Sequence, residues 1–272
     1  MKALALQSIL SLLIVAPSLG CEEEKPAPPA DAPREAPAAA AKAAAAITAA
    51  PAAQTVPEKA PEKAKEERTA AECPPGPAID FPNADFEAAV RRKLDKQTGD
   101  ISAADLGKLT SLNISQIRLA ALDVCVFPHM TGLKELFLGA GGYSDLSPIS
   151  GATKLESLRA AQNKVTDLSP LQGMIHLDRL DLGQTPITDL RPIGRLTNLT
   201  ELMLDGTQIS DLTPLAGMTK LERVSLKDSK VTELTPLAAA KKLKFVYVGG
   251  TPVAESMNYG VVAKNGAKII RE

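Results

Sequence analysis

The chain has 272 residues, room for one large domain or two small ones. Its 31 Lys and Arg balance 32 Asp and Glu at a formal charge of −1, and aromatics make up only 3%, with no Trp. That combination argues against a nucleic-acid binder, which needs a basic face to displace counterions and rings to stack on bases. Two His and three Cys leave little material for a metal or nucleophile site.

Residues 1–20 read as an export signal. Lys2 is a minimal basic start, and Ala3 to Ala16 is apolar apart from Gln7, Ser8 and Ser11. As helix that run covers about 21 Å, short of a bilayer crossing. Pro17, Ser18, Leu19 and Gly20 then lead into Cys21, and the chain turns acidic at Glu22 to Glu24. A small residue before a Cys at the end of an apolar run resembles the lipobox of bacterial lipoproteins. The resemblance implies that Cys21 is lipidated and becomes the mature N-terminus. It departs from that pattern at Ser18, where the family favours Leu. The other reading is ordinary cleavage near Gly20 and a soluble exported protein. Both place the chain in an oxidising compartment. With Cys21 acylated, Cys73 and Cys125 are left as an even pair, predicted to form a disulfide.

Residues 21–72 read as a disordered linker. Between residues 22 and 72 stand 20 Ala and 8 Pro, with Ile47 and Val56 the only large aliphatic residues. Such a segment buries too little apolar area to offset its ordering entropy. The composition of the Ala38–Ala46 run, bracketed by Pro37 and Pro51, predicts transient helical character. Extended, the linker reaches about 160 Å; as a coil, about 40 Å.

Residues 73–108 form a predicted helical cap. Phe86, Ala89, Val90 and Leu94 share one helical stripe, with Asn83 as N-cap and Gly99 as the stop. Ser102 to Asp105 has the form of a capping box that opens a second short helix.

A 22-residue period governs residues 109–253. Leu133, Leu155, Leu177, Leu199, Leu221 and Leu243 open six successive units. Each unit alternates apolar residues once, as in Leu180-x-Leu182, which predicts a short strand. Asn163, Thr185, Thr207, Ser229 and Thr251 then point inward, where a side-chain oxygen can satisfy backbone amides between coils. Prolines 148, 170, 192, 214 and 236 predict 3₁₀ or turn structure on the far side, since Pro has no N–H for an α-helix interior. A degenerate unit starts at Leu109. Residues 254–272 read as a C-terminal cap, with helix over Ala254 to Lys264 and a last strand at Lys268 to Ile270.

On these residues the chain resembles internalin-type leucine-rich repeats. The resemblance implies an α/β solenoid with a parallel concave sheet, a 3₁₀ convex side and a helical N-terminal cap. It departs from the family in having Thr or Ser in place of most ladder Asn, and Ile117 in the first ladder position. A weaker ladder and a distorted first coil, stapled by Cys73 and Cys125, are expected.

In such a solenoid the residues flanking each inward apolar pair face the concave side. Glu135, Arg179, Glu201, Arg223 and Phe245 fall in one column. Phe137, Arg159, Asp181, Met203 and Tyr247 fall in the next, and Asp205 and Lys227 in a third. Phe137 is separated from Phe245 and Tyr247 by five units, roughly 24 Å. Aromatic and Arg anchors among polar residues suit protein contacts. The opposing reading is a self-neutralising charge ladder on a solvated face.

Asp145, Asp167, Asp189, Asp211 and Glu233 invite a calcium reading, but the simpler one is that each accepts N–H bonds in its own turn. The Gly139 to Gly142 cluster lacks the Lys-Ser/Thr of a phosphate loop. His129 and His176 have no nucleophile beside them. No catalytic constellation, cofactor or metal site follows. The expected protein is a monomeric, noncatalytic lipoprotein of the bacterial cell envelope with a protein ligand.

Overall fold

Residues 69–272 are described by the structure, a computed structural model. The export signal, Cys21 and almost all of the linker lie outside the described residues.

Two short helices precede the repeats: α1 (Ala84–Leu94) and α2 (Ala103–Leu106). Asn83 caps α1 by accepting the Phe86 N–H at 2.9 Å. The helix stops at Leu94, because Asp95 takes the left-handed conformation (φ 53°) four residues before the predicted stop at Gly99. Asp and Asn tolerate that region through short polar side chains. The Ser102–Asp105 capping box forms in both directions, each bond 3.2 Å. Phe86 joins this cap to the solenoid, stacking on Phe127 at 5.3 Å and meeting Phe81 edge-on at 5.5 Å.

The repeats then lay down one strand each: β1 (Ser111–Ile114), β2 (Glu135–Leu138), β3 (Ser157–Arg159), β4 (Arg179–Asp181), β5 (Glu201–Met203), β6 (Arg223–Ser225) and β7 (Phe245–Tyr247). A last strand, β8 (Lys268–Ile270), follows the C-terminal cap, and all eight pair in parallel in sequence order. Register follows the 22-residue period, with Leu136, Leu158, Leu180, Leu202, Val224 and Val246 aligned across the sheet. Hydrogen bonding outlasts the strand bounds, as Leu182 N–H still reaches the Met203 carbonyl at 2.9 Å.

Inside each coil the aliphatic side chains close on one another and on the next coil. Leu158, Leu182, Leu204 and Leu226 are wholly buried. The convex side is 3₁₀ over Ser147–Ile149, Ser169–Leu171, Arg191–Ile193, Thr213–Gly217 and Thr235–Ala239. Pro stands second in each of these turns, where its missing N–H is not needed.

The inward polar residues behave differently from one another. Asn163 bridges coils: its Oδ1 accepts the Gly141 and Tyr143 N–H groups at 3.1 Å, and its Nδ2 donates to Gly139, Ala160 and Ala161 carbonyls. Thr185, Thr207 and Thr251 do not bridge. Each donates its hydroxyl to the carbonyl three residues earlier, at 2.5–2.7 Å. Ser229 Oγ is buried with no partner. A Thr hydroxyl is too short to span two coils, so the predicted inter-coil role holds only for Asn163.

The residue before each ladder position is left-handed: Gln162, Gln184, Gly206, Asp228 and Gly250 have φ of 54–70°. The first regular coil turns instead at Gly142, with φ 77°. There the glycine cluster has a packing cause. A Cβ at Gly139 would lie 2.5 Å from the Ser115 carbonyl oxygen, and one at Gly141 would lie 2.5 Å from the buried Tyr143 ring.

Cys73 and Cys125 are bonded, with Cα atoms 5.4 Å apart, tying the start of the cap to the first coil. At the other end, the predicted continuous helix is two: α3 (Pro252–Ser256) and α4 (Gly260–Lys264), broken at left-handed Met257. Val253 and Val262 are both fully buried. Nine residues make two and a half helical turns, so an unbroken helix would put them on opposite faces.

Asn163→Ala is expected to cost roughly 3 kcal/mol, since it strands two N–H groups, whereas Thr207→Val should cost about 1 kcal/mol or less. Urea denaturation of the two variants checks this; equal losses would contradict the division of roles.

Candidate binding surface on the concave sheet

Side chains alternate through the sheet, so the residues between the buried leucines stand on the open face. Strand register aligns the members of two of the three columns. Glu135, Ser157, Arg179, Glu201, Arg223 and Phe245 are direct partners across β2 to β7, and Phe137, Arg159, Asp181, Met203, Ser225 and Tyr247 are the next row. Ser157 and Ser225 are buried in their rows, while the other members are half-buried or exposed.

Each aromatic on this face carries a cation. The Arg159 guanidinium lies 5.1 Å from the Phe137 ring centre, Arg223 lies 5.8 Å from Phe245, and the Lys227 ammonium lies 5.6 Å from Tyr247. A cation over a ring face gains about 0.5–1 kcal/mol at an exposed site.

Acidic groups are partly committed. Glu201 pairs with Arg223 at 3.3 Å. Asp205 accepts the Ser225 hydroxyl and, at 2.9 Å, the Lys227 N–H, so it ties two coils together. Asp181 accepts the Gly183 N–H at 3.1 Å. Arg179 lies 3.6 Å from Asp178 on its own strand edge, not against Glu201. The Arg179–Glu201–Arg223 charge ladder is therefore broken in its first half and formed only in its second. Beside the sheet runs another row of coil-to-coil contacts: Lys134 to Glu156 at 2.8 Å, Thr200 to Asp178 at 2.6 Å and Lys244 to Glu222 at 2.6 Å.

Sequence reasoning missed the members of this face outside the regular units. Asn113 on β1 aligns with Phe137 and forms a shallow hollow with Ser115, Phe137, Leu138 and Arg159. Lys268 and Ile270 on β8 align with Phe245 and Tyr247 and extend both columns. The signal was there in the apolar Ile269, but β8 follows β7 by 23 residues and β2 follows β1 by 24, which breaks the period.

The acidic column on the other side serves the turns. Asp145, Asp167, Asp189 and Asp211 each accept the N–H two residues on, at 2.7–2.9 Å. Glu233, one methylene longer, accepts the Thr235 hydroxyl at 3.3 Å instead. Among the described residues, no three His, Cys, Asp or Glu side chains group closely enough to hold a metal ion. His129 and His176 are both exposed.

Two copies of leucine-rich repeat, as that family is defined, match residues 153–195. An internalin of Listeria monocytogenes is 26% identical and superposes with a TM-score of 0.52, covering 66% of this chain and 61% of its own. The repeat domain is a leucine-rich-repeat solenoid similar to those of the internalins. Internalin C2 of the same organism is 25% identical with a TM-score of 0.52, over 66% of this chain and 92% of its own. A leucine-rich-repeat protein of Leptospira interrogans shares the fold at 20% identity and a TM-score of 0.50, over 61% of this chain and 49% of that one. No curated protein matches the sequence. The chain spans only 61% of the first internalin's length. The parallel sheet is open, and its concave face carries the half-buried and exposed columns described above.

The turn carboxylates contribute to the acid sensitivity of the fold, together with Asp105 of the cap, which Lys96, Ser102 and Lys108 hold low. The Ser169 hydroxyl and N–H hold Asp167 below the ordinary carboxylate range, the Arg191 side chain and N–H do so for Asp189, and the Thr213 hydroxyl and N–H for Asp211. A depressed folded pKa stabilises at pH above the unfolded value, near 4, and is lost as pH falls through the folded one. Urea stability is therefore expected to hold from pH 7 to 5 and fall toward pH 2. The triple variant Asp167→Asn, Asp189→Asn, Asp211→Asn should show a shallower fall; an unchanged acid limb would contradict this role.

Proposed function

We propose that the protein is a noncatalytic lipoprotein of the bacterial cell envelope that recognises another protein through the concave face of its repeats. The observation that carries this reading is the placement of the aromatics. Of eight Phe and Tyr in the chain, three stand on this one face, each beneath a cation. An unused solenoid face gains nothing from half-exposed rings, whereas rings and Arg among polar groups anchor protein contacts. The Glu201–Arg223 pair alone favours the other reading, a spacer whose solvated face neutralises itself.

Attachment is proposed at Cys21, with residues 22–72 as the stalk. Among the described residues no helix is long and apolar enough to cross a membrane. That observation is compatible with lipid attachment and equally with secretion, so the lipid is tested directly.

Crosslinking of the full chain in envelope preparations tests both parts. The triple variant Phe137→Ala, Phe245→Ala, Tyr247→Ala should lose a protein that the native chain captures, and Cys21→Ser should leave the membrane fraction. Identical capture by both chains would favour the spacer, and membrane retention of Cys21→Ser would rule out the lipid anchor.

A further inference from the structure

The two edges of the solenoid differ in charge. Each strand starts at one edge, where the chain returns from the convex turn, and finishes at the other. At the starting edge of β6, β7 and β8 stand Lys220, Lys241, Lys242, Lys244, Lys264 and Lys268, all exposed. Lys220, Lys242 and Lys264 are 22 residues apart, so the period stacks them in a row. Local contacts hold the row together. Lys220 Nζ donates to Asn198 at 2.6 Å and Lys241 Nζ to Asn265 at 2.9 Å, while the Lys268 N–H reaches the Lys244 carbonyl at 2.8 Å. With strands about 4.8 Å apart, the row covers about 10 Å from β6 to β8.

One carboxylate stands within this row. Glu222 pairs with Lys244 at 2.6 Å, and Lys242 adds to the pull that holds it below the ordinary carboxylate range. Asn198 and Asn265 are neutral, so they orient Lys220 and Lys241 without cancelling their charge. Six lysines against one carboxylate leave five positive charges. Beside the row, Glu201 and Arg223 cancel each other at 3.3 Å, and Asp178, two coils before Glu222, accepts the Thr200 hydroxyl. The other acids of this end belong to the finishing edge. Asp205 accepts the Lys227 N–H beyond β6, Asp228 and Glu272 lie against Gly250 and Gly249, Glu233 accepts the Thr235 hydroxyl at the head of the convex turn, and Glu255 is on α3. A three-residue strand puts about 10 Å between the edges, a full screening length at 0.1 M salt. The acids of one edge therefore leave the lysines of the other positive.

Apolar side chains accompany the lysines. Three large hydrophobic residues are exposed among the described residues: Ile175, Met257 and Val261. Val261 is three residues before Lys264 on α4, so the two share a helix face. Ile175 stands three repeats before Lys241, on the same edge of the solenoid. We infer that this edge docks on the anionic phospholipid headgroups of a bilayer. Ammonium groups on long stems are mobile, hydrated charges, and they suit a shifting plane of phosphates rather than one fixed anion. A soluble polyanion would match the lysines but leave Val261 in water, whereas a bilayer has an apolar layer beneath its phosphates. In this pose the strands rise away from the membrane and the concave face opens along it. The inference goes beyond the proposed recognition role and does not require a lipid on Cys21.

The test is vesicle sedimentation of the mature chain, residues 21–272, carrying Cys21→Ser so that no acyl chain contributes. Mixed phosphatidylglycerol and phosphatidylcholine vesicles are expected to bind at least tenfold more tightly than phosphatidylcholine alone, and binding should weaken as salt rises from 50 to 300 mM. Each lysine at an anionic surface contributes about fivefold. The triple variant Lys220→Gln, Lys242→Gln, Lys264→Gln should therefore lose at least tenfold, with its thermal melt unchanged. A charge-matched control, Lys93→Gln, Lys164→Gln, Lys230→Gln, changes exposed lysines away from this edge and should lose less than threefold. Equal losses in the two triple variants, equal binding to both vesicle types, or tighter binding to soluble polyphosphate than to the anionic vesicles would each overturn the inference. Lys220, Lys242 and Lys264 lie outside the concave columns, so its failure would leave concave recognition standing.

Discussion

A single coil of this solenoid has no core. Its leucines point inward, but one circuit of 22 residues encloses too little volume to keep them from water, so each coil is stable only between two others. Stacking demands that equivalent residues recur at constant spacing, that strand follow strand in register, and that every turn between them find partners for its backbone. The aligned row from Leu136 to Val246 meets the first two demands. The third explains much of the remaining sequence: left-handed residues before the ladder, carboxylates before the 3₁₀ turns, and prolines where no N–H is needed. Both ends break the rule and require other devices, the Cys73–Cys125 bond and Phe86 at one, the buried Val262 of α4 at the other.

The period made the fold legible. Once Leu133 and its successors are aligned, strand positions, convex turns and the outward columns follow from geometry alone. The acidic turn residues were also readable, because an Asp two residues before an N–H has one short-range partner within reach. Ladder chemistry was less so. Thr and Asn occupy the same place in the pattern, but only Asn163 carries both an acceptor and donors far enough from its backbone to join two coils. The break at Met257 was illegible for a different reason: it answers to Val253 and Val262 needing the same core, which is a tertiary demand.

On the concave face the columns were read correctly and their ends were not. Regular units show the face as alternating charges, nearly balanced. Lys268 and Ile270 arrive on a strand that is out of period, and they change the balance at one end. The intramolecular pairs matter as much as the composition. Asp205 is engaged between coils and Glu201 pairs with Arg223, so part of the charge on this face is spent within the sheet. Each cation–ring contact favours the arrangement by about 0.5–1 kcal/mol.

The claim that this sheet face, rather than the convex side, meets the partner is tested most directly by site-specific photocrosslinking in the envelope. A photoreactive residue replaces Tyr247 on β7 in one chain and exposed Gln172 on the convex side in another. One discrete crosslinked protein is expected from position 247 and none from position 172. The same product from both positions, or from 172 alone, would contradict it.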